Sequence, residues 1–269
     1  MFNPDDYVFF KDGVIEIGID SVSVDEVIST LDNSTIKKEY LTASTPKKTI
    51  QYGSFFIQKK LLTVENFRKF VQETKYITDS EKEGWGWVWN NKWIKKKDVS
   101  WKNPFMNEAD NYYNDKAQIF PVMQVSWNDA VEYTKWLSMV TRENFRLPFE
   151  YEWEIFGNYA GLNSIRNNMF NNKDEINSDV EFISKLREKI QNSDYQFGLL
   201  WEWTFDWYIG YDESIINKDF GNIYKILRGG SLLSESIQKS KEFRFRRCPT
   251  ARSPYYGFRL VINKTDLPE

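Results

Sequence analysis

The sequence of 269 residues contains no histidine. This absence excludes a Ser-His-Asp triad, a Cys-His dyad and any zinc or iron site that depends on imidazole ligands. It also excludes a proton shuttle based on imidazole, the side chain that titrates nearest to neutral pH. Any catalysis would therefore depend on carboxylates, lysine, tyrosine, serine, cysteine or a hard cation.

Cysteine is almost absent too, because Cys248 is the only one. A single cysteine cannot form an intrachain disulfide, which agrees with a reducing compartment. Two interpretations of Cys248 are open. The arginines close to it in sequence could lower the pKa of the thiol and make it reactive. The interpretation we favour is a small buried side chain beside an alternating strand.

Long apolar runs are missing as well, and no segment approaches the roughly 20 apolar residues that a membrane-spanning helix needs. The first six residues are acidic, whereas a secretory signal begins basic and continues apolar. These features predict a cytoplasmic protein. The net charge is −3 with acids and bases interspersed, so we expect neither nucleic acid nor a membrane as a partner.

Aromatic side chains are abundant: they make up 17% of the chain and include 11 tryptophans. Residues 84–94 carry four of these and predict a hairpin that turns at Asn90 and Asn91. The rings could form a platform for a ligand, or they could pack in the core of a loop-rich fold. The second interpretation is favoured here, because large rings bury much area with little regular structure.

Local patterns predict several short elements. Residues 8–18 predict a β-hairpin with its turn at 11–13, and a short helix is expected near 23–31. Ser126 and Asp129 form a capping box that opens a helix. Pro148 fits the first position of the next helix. The apolar residues of the polar insertion 163–194 also have helical spacing: Val180, Ile183, Leu186 and Ile190.

Several motifs follow one another in a fixed order along the chain. Residues 228–231 read Arg-Gly-Gly-Ser, and residues 257–261 read Gly-Phe-Arg-Leu-Val. The complete set occupies residues 52–76, 84–105, 121–130, 146–154, 201–204, 228–231, 243–248 and 257–261. Together these motifs resemble the formylglycine-generating enzyme-like, or sulfatase-modifying factor, family over residues 50–262.

The resemblance implies a fold. Members of this family have a single irregular α+β domain, a variant of the C-type lectin fold, with short helices and strands and much coil. We therefore expect one domain over 1–269. Its core would be the matching region 50–262, and residues 1–49 would add the N-terminal hairpin and a connection.

The resemblance also implies that the oxidase chemistry of the family is lost. Oxidase members carry two cysteines shortly after the Gly-Gly-Ser motif, and the two thiolates bind copper(I). Here the first position corresponds to Ser234 and the second falls near Lys239. A hydroxyl and an ammonium cannot replace two thiolates, so copper is not expected and no catalytic residue is predicted. Iron-dependent relatives need histidines, which are absent.

Two further sites are implied or suggested. The resemblance places a structural calcium site at Phe197, Gly198, Leu200 and Glu202, where carbonyls and a carboxylate suit a hard cation. Glu202 could instead pair with an arginine, and both possibilities stay open. The arginines of the C-terminal strands predict buried ion pairs with acids, with an anion site as the alternative. The arginines are 244, 246, 247, 252 and 259, and the acids are Glu150, Glu152, Glu154 and Glu202.

The function that this pattern favours is protein binding without catalysis. The resemblance suggests an immunity protein that neutralises a secreted bacterial toxin. The alternatives are an enzyme of altered chemistry and a variable ligand-display protein. The predicted binding surface includes the insertion 163–194 and six residues of the lost copper site: Ser234, Glu235, Ser236, Gln238, Lys239 and Lys241.

Overall fold

The structure, a computed structural model, describes residues 3–30, 36–89, 92–105, 107–114, 117–165, 176–212 and 214–263. Its strands are β1 (Tyr7–Phe10), β2 (Gly13–Ile17), β3 (Lys48–Tyr52), β4 (Phe55–Gln58), β5 (Trp85–Trp89), β6 (Trp93–Lys97), β7 (Phe145–Arg146), β8 (Trp201–Trp207), β9 (Lys225–Arg228), β10 (Phe245–Arg247), β11 (Tyr256–Gly257) and β12 (Val261–Ile262). Its α-helices are α1 (Ser21–Thr30), α2 (Lys38–Thr42), α3 (Val64–Thr74), α4 (Asp79–Glu83), α5 (Glu108–Asn114), α6 (Trp127–Thr141), α7 (Glu150–Tyr159) and α8 (Asp179–Asn192).

Two four-stranded sheets form the centre of the fold. One has the strand order β1-β4-β12-β7, and the other has the order β10-β9-β8-β11. Two small two-stranded sheets, β2-β3 and β5-β6, lie outside them. The fold is thus the mixed arrangement of short helices and strands that the family resemblance implied.

The predicted hairpin over residues 8–18 is wrong. β1 pairs with β4, whereas β2 pairs with β3, so the two consecutive strands belong to different sheets. The chain does bend at Asp12 between the two strands, but Gly13 already belongs to β2. The residue pattern at 11–13 indicates where the chain bends. It does not indicate which strands β1 and β2 pair with, because those partners come from distant segments of the chain. The largely apolar residues 52–57 predict a single strand, whereas in the structure they are the end of β3 and most of β4.

The helix predicted at Ser126 is confirmed. The Ser126 Oγ accepts from the Asp129 N–H at 3.1 Å, and the Asp129 carboxylate accepts from the Ser126 N–H at 2.8 Å. The next helix begins two residues later than Pro148 predicted. The Phe149 N–H donates to the Glu152 carboxylate at 2.7 Å, which makes Phe149 the N-cap residue. The helix of the insertion is α8, which buries Ile183, Leu186 and Ile190.

Aromatic rings from distant segments meet in the main core. Tyr133 of α6 packs 6.0 Å from Phe67 of α3 and 5.8 Å from Phe258, measured between ring centroids. Trp203 of β8 is fully buried in the same cluster. The expectation that ring volume holds this irregular fold together is therefore confirmed.

The longest described helix, α6, has only 15 residues. In the part of the chain that the structure describes, no helix is long and apolar enough to cross a membrane.

Candidate ligand-binding cavity

A cavity of about 630 Å³ opens where the β5-β6 hairpin meets the second four-stranded sheet. It is called the front cavity below. Trp89 and Trp93 contribute from the hairpin, and Trp201 and Phe245 contribute from the sheet. The N-terminal end of α8 closes another side. The remaining lining residues used below are Lys96, Asp179, Ser231, Ser234, Arg247, Tyr255 and Tyr256.

The hairpin contributes through its register. Val88 pairs with Ile94, so both point to one face of the ribbon, and Trp89 pairs with Trp93 at the end of the described strands. The Trp89 and Trp93 rings contact each other at 5.4 Å between centroids. Trp93 also contacts Tyr255 at 5.7 Å. The predicted turn residues Asn90 and Asn91 lie outside the described residues.

The interpretation of this hairpin as core packing is wrong for two of its rings. Trp89 is 43% exposed and Trp93 is 44% exposed. A large ring that is left half in water at the rim of a cavity can be covered by a ligand, which adds apolar burial at little entropic cost. The platform interpretation therefore fits Trp89 and Trp93, whereas the buried side chain of this ribbon is Val88.

The charges around the front cavity are unequal. Lys96 and Arg247 supply two cations, and Asp179 is the acid that faces them. The Asp179 carboxylate accepts from the Asn107 amide at 2.7 Å and from the Tyr255 hydroxyl at 3.4 Å. Burial raises the pKa of Asp179 above its usual value, and the hydrogen bonds from Asn107 and Tyr255 oppose this rise. The cavity therefore favours anionic groups.

Arg247 carries much of this preference. Its guanidinium lies 4.1 Å from the centre of the Phe245 ring and donates to the Arg246 carbonyl at 2.9 Å. In the described ranges, no carboxylate pairs with it. A cation that is held in place by a ring and a carbonyl keeps donors for an incoming carboxylate or phosphate. For Arg247 the favoured prediction of a buried ion pair is wrong, and the alternative of an anion site fits its position better.

Ser231 and Ser234 form part of the cavity wall. The Ser234 Oγ accepts from the Ser231 N–H at 2.9 Å, and Ser234 is buried. Two left-handed glycines, Gly229 and Gly230, bring the chain to this turn. An added Cβ at Gly229 would lie 2.8 Å from the Trp153 ring. The glycines are therefore needed both for their backbone conformation and for space.

The rest of the predicted binding surface lies beside the cavity. Glu235, Ser236 and Gln238 are half-buried around a 3-10 turn. Lys239 is also half-buried, and its aliphatic stem packs against Gly198 and Gly230. Lys241 donates to the Asn158 side chain at 2.6 Å. Of these six residues, Ser234 reaches the front cavity.

The two positions that the resemblance assigns to copper do not fit the ion. Ser234 presents a buried hydroxyl that already accepts a hydrogen bond. Lys239 has an aliphatic stem and an ammonium group, whereas copper(I) requires soft thiolate ligands.

The single thiol, Cys248, follows β10. It is exposed and 3.7 Å from the Thr250 hydroxyl. The interpretation of Cys248 as a buried side chain is wrong, because β10 ends one residue before it.

Buried ion pairs lie behind the cavity, as predicted for Arg244 and Arg259, and Arg228, which was not among the predicted arginines, joins them. Arg228 contacts Glu150 at 3.1 Å and Glu154 at 2.7 Å. Arg244 contacts Glu150 at 2.6 Å and also donates to the Ala43 carbonyl at 2.5 Å. Burial raises the pKa of Glu154 to about 7. These residues bind α7 to β9 and the chain before β10, so they serve the fold rather than a ligand.

Glu202 has the same kind of partner. Its two carboxylate oxygens accept from Arg259, at 2.5 Å from Nε and at 2.9 Å from the terminal nitrogen. Both side chains are fully buried, and Arg259 also donates to the Lys59 carbonyl at 2.7 Å. A calcium ion here would have to displace the guanidinium, so this carboxylate does not fit the ion. Among the described residues, no group of three or more cysteine, aspartate or glutamate side chains could hold a metal ion.

The chain is thus a mixed scaffold of short helices and strands, held by buried arginine–glutamate pairs and opening on an aromatic cavity. The chain belongs to the sulfatase-modifying factor enzyme 1-like domain family, whose sequence profile matches residues 3–264. The family assignment made from the motifs is therefore confirmed.

The relatives include active and inactive proteins. The chain is 30% identical over 138 residues to the formylglycine-generating enzyme of Thermomonospora curvata. That match covers 45% of this chain and 42% of the enzyme, less than half of its length. The chain is 27% identical over 259 residues to the inactive C-alpha-formylglycine-generating enzyme 2 of Bos taurus, covering 80% of this chain and 79% of that protein.

The fold is also shared with a solved structure. PvdO from Pseudomonas aeruginosa matches with a TM-score of 0.59 at 15% sequence identity. The match covers 96% of this chain and 94% of that one. At this identity the similarity shows the fold alone.

Proposed function

We propose that this chain is a non-catalytic protein-binding module that takes a segment of its partner into the front cavity. The observation that carries the proposal is a cavity of about 630 Å³ with two half-exposed tryptophans at its rim. Ser234 occupies the position where the resemblance places the first copper ligand. The cavity therefore has room for a ligand but lacks the thiolates of the oxidases.

The chemistry of the cavity favours a particular kind of segment. Exposed tryptophans and arginines are the residues that most often dominate binding energy at protein interfaces. Lys96 and Arg247 are two cations against the single acid Asp179 among the lining residues named above. A partner segment with apolar and acidic side chains would therefore complement both the rings and the charges.

The particular role we propose is that of a cytoplasmic immunity protein that binds and neutralises a secreted bacterial toxin. Support comes from the resemblance, which includes such proteins on this scaffold, and from the loss of the thiolate pair. A frame held by buried ion pairs keeps the binding surface formed in advance, which lowers the entropic cost of a tight complex.

Affinity capture from the native cell extract tests the proposal. The double variant Trp89→Ala, Trp93→Ala removes the rim of the cavity, and Ile216→Ala is the control because Ile216 is 97% exposed outside the cavity. The wild-type protein and the control should retain one stoichiometric protein, which the double variant should lose. Turnover of a small molecule without any stoichiometric partner would sink the proposal.

A second candidate, an enzyme of altered chemistry, is favoured by the exposure of Cys248, which leaves its thiol accessible to solvent. Rapid labelling of Cys248 in the folded protein, with loss of a measured turnover, would support this candidate. Titration with copper(I) should reveal no tight site, and a tight site would overturn the binding-module proposal.

A further inference from the structure

Two hydroxyls in the wall of the front cavity leave one hydrogen-bond donor unused. Ser231 is 2% exposed and Ser234 is 5% exposed, and both line the cavity. Their hydroxyl oxygens lie 3.3 Å apart, and the Ser234 hydroxyl also accepts from the Ser231 N–H. Only one of the two hydroxyl hydrogens can lie between these oxygens. When Ser231 supplies it, the hydrogen of Ser234 has no acceptor among the described residues and can donate to a group in the cavity.

The charges that line the front cavity leave one cation in excess. Among the described residues these are Lys96, Arg247 and Asp179, two cations and one acid. Lys96 lies close enough to Asp179 to oppose the rise in its pKa, so these two charges offset each other. Arg247 lies beside Tyr256, where its charge opposes the rise in the tyrosine pKa that burial causes. The unbalanced positive charge of the cavity is therefore that of Arg247.

One excess charge suits a carboxylate better than a phosphate. A carboxylate carries a single charge, and its two oxygens match the parallel donors of a guanidinium. A phosphate group carries about −1.5 to −2 near neutral pH, which would leave negative charge unbalanced in a cavity that also holds Asp179. The half-exposed rings of Trp89 and Trp93 line the same cavity and offer apolar area beside the charged group.

We propose that the front cavity recognises an acidic side chain of the partner. Its carboxylate bonds to Arg247 and to the Ser234 hydroxyl, while a neighbouring apolar side chain of the partner covers Trp89 and Trp93. This inference rests on the proposed function of protein binding and names the chemical group that is recognised. It makes Arg247 and Ser234 the residues that determine specificity.

Two peptides that match in shape test the requirement for a charge: acetyl-Phe-Asp-amide and acetyl-Phe-Asn-amide. Nuclear magnetic resonance of the full chain labelled with nitrogen-15 follows the indole signals of Trp89 and Trp93 at constant ionic strength. The acidic peptide should shift these signals in a saturable way. The neutral peptide should bind at least about tenfold more weakly, because it loses a charged hydrogen bond. Equal affinities for the two peptides would overturn the proposal.

A pair of charge variants makes the test specific to Arg247. Arg247→Gln removes the guanidinium, and Lys97→Gln removes one positive charge from an exposed position of β6 outside the cavity. The preference for the acidic peptide should disappear in Arg247→Gln and persist in Lys97→Gln. The same loss of preference in both variants would show a general effect of net charge and would contradict a site at Arg247.

A pair of serine variants tests the hydroxyl. Ser234→Ala removes the donor that we assign to the ligand, whereas Ser231→Ala keeps it together with its bond from the backbone N–H. Ser234→Ala should weaken binding of the acidic peptide about fivefold, the effect of one neutral hydrogen bond, and Ser231→Ala should leave binding unchanged. The opposite order of effects would remove Ser234 from the site.

Affinity capture with Arg247→Gln separates this inference from the proposed function. A stoichiometric protein that wild type retains and Arg247→Gln loses supports both. A protein that both retain equally supports protein binding and overturns the carboxylate site. Selective binding of the acidic peptide without any captured protein supports the carboxylate site and counts against the proposed function.

Discussion

The front cavity has two sides of opposite character. Behind it, Arg228, Arg244 and Arg259 are fully buried and each pairs with a carboxylate. At its rim, Trp89 and Trp93 are nearly half exposed. The charged residues, which would ordinarily suggest a ligand site, hold the frame. The apolar residues, which would ordinarily suggest a core, face solvent.

The reason for this inversion is the position of each element. The arginines lie on or beside strands that are covered by α7 on one side, so their charges must be neutralised inside the protein. The tryptophan hairpin is a two-stranded ribbon outside the main sheets, so its rings can cover only part of one another. Residue type alone therefore does not assign a role in this fold.

The largest effect on stability is expected at Arg259. Arg259→Ala leaves the Glu202 carboxylate buried without its partner, which should lower the free energy of unfolding by about 3–5 kcal/mol. Arg247→Ala, at the cavity wall, should lower it by less than about 1 kcal/mol. Urea denaturation measures both. Similar losses of unfolding free energy in the two variants would contradict the distinction between the buried arginines that stabilise the fold and the arginine that lines the cavity.

A smaller effect is expected at Gly229, because an added Cβ would lie 2.8 Å from Trp153 and the backbone φ is 90°. Gly229→Ala should lower the free energy of unfolding by about 1–3 kcal/mol. Gly161→Ala is the matched control, since φ is 78° and no atom lies within 4 Å of its added Cβ. Denaturation measures the free energy of unfolding of both variants, and the larger loss in Gly229→Ala reports the steric clash with Trp153. Equal losses in the two variants would contradict this clash.

The next effect is a dependence on pH. Burial raises the pKa of Glu154 from 4.5 to about 7, so between these values the folded state holds a proton that the unfolded state releases. The contribution of Glu154 to stability is therefore complete below pH 4.5 and is lost as the pH rises to about 7. Glu154→Gln should flatten the fall in stability over this range. Parallel profiles for the variant and the wild type in denaturation at several pH values would refute this assignment.

The smallest effect on stability is expected at the rim. Trp93→Ala should change the free energy of unfolding by no more than about 1 kcal/mol and yet weaken partner binding at least about tenfold. Trp203→Ala is the contrasting variant, because the tryptophan ring at position 203 is fully buried. Its loss should lower the free energy of unfolding by about 3–5 kcal/mol. Denaturation and binding assays on both variants show whether exposure separates function from folding. Unchanged partner binding in Trp93→Ala would count against the platform.

Much of the frame was predictable from the sequence. The capping box at Ser126 and the pairing of arginines with glutamates follow from short-range chemistry and from the cost of burying a charge. The partner of β1 was not predictable from local pattern, because β1 pairs with β4 more than 40 residues away. Cys248 was misjudged because the strand that should have buried it ends at Arg247.

The front cavity could be predicted only in part. Ser234 was identified through the resemblance, and it does line the cavity. Tyr255 and Tyr256 lie outside every motif segment, and their meeting with Lys96 depends on how the hairpin approaches the second sheet. The alternation of tryptophan and other residues in 85–89 was the available signal, because a strand that is half-buried on one face leaves its other face to solvent.

The packing around Ser234 and Lys239 opposes a pair of cysteines at the two positions that the resemblance assigns to copper. A cysteine at 234 would offer the Ser231 N–H only a weak sulfur acceptor in place of its present bond of 2.9 Å. A cysteine at 239 would withdraw the stem that covers Gly198 and Gly230. Each substitution disturbs the present packing on its own, so installing a thiolate pair is expected to require compensating changes in the neighbouring chain.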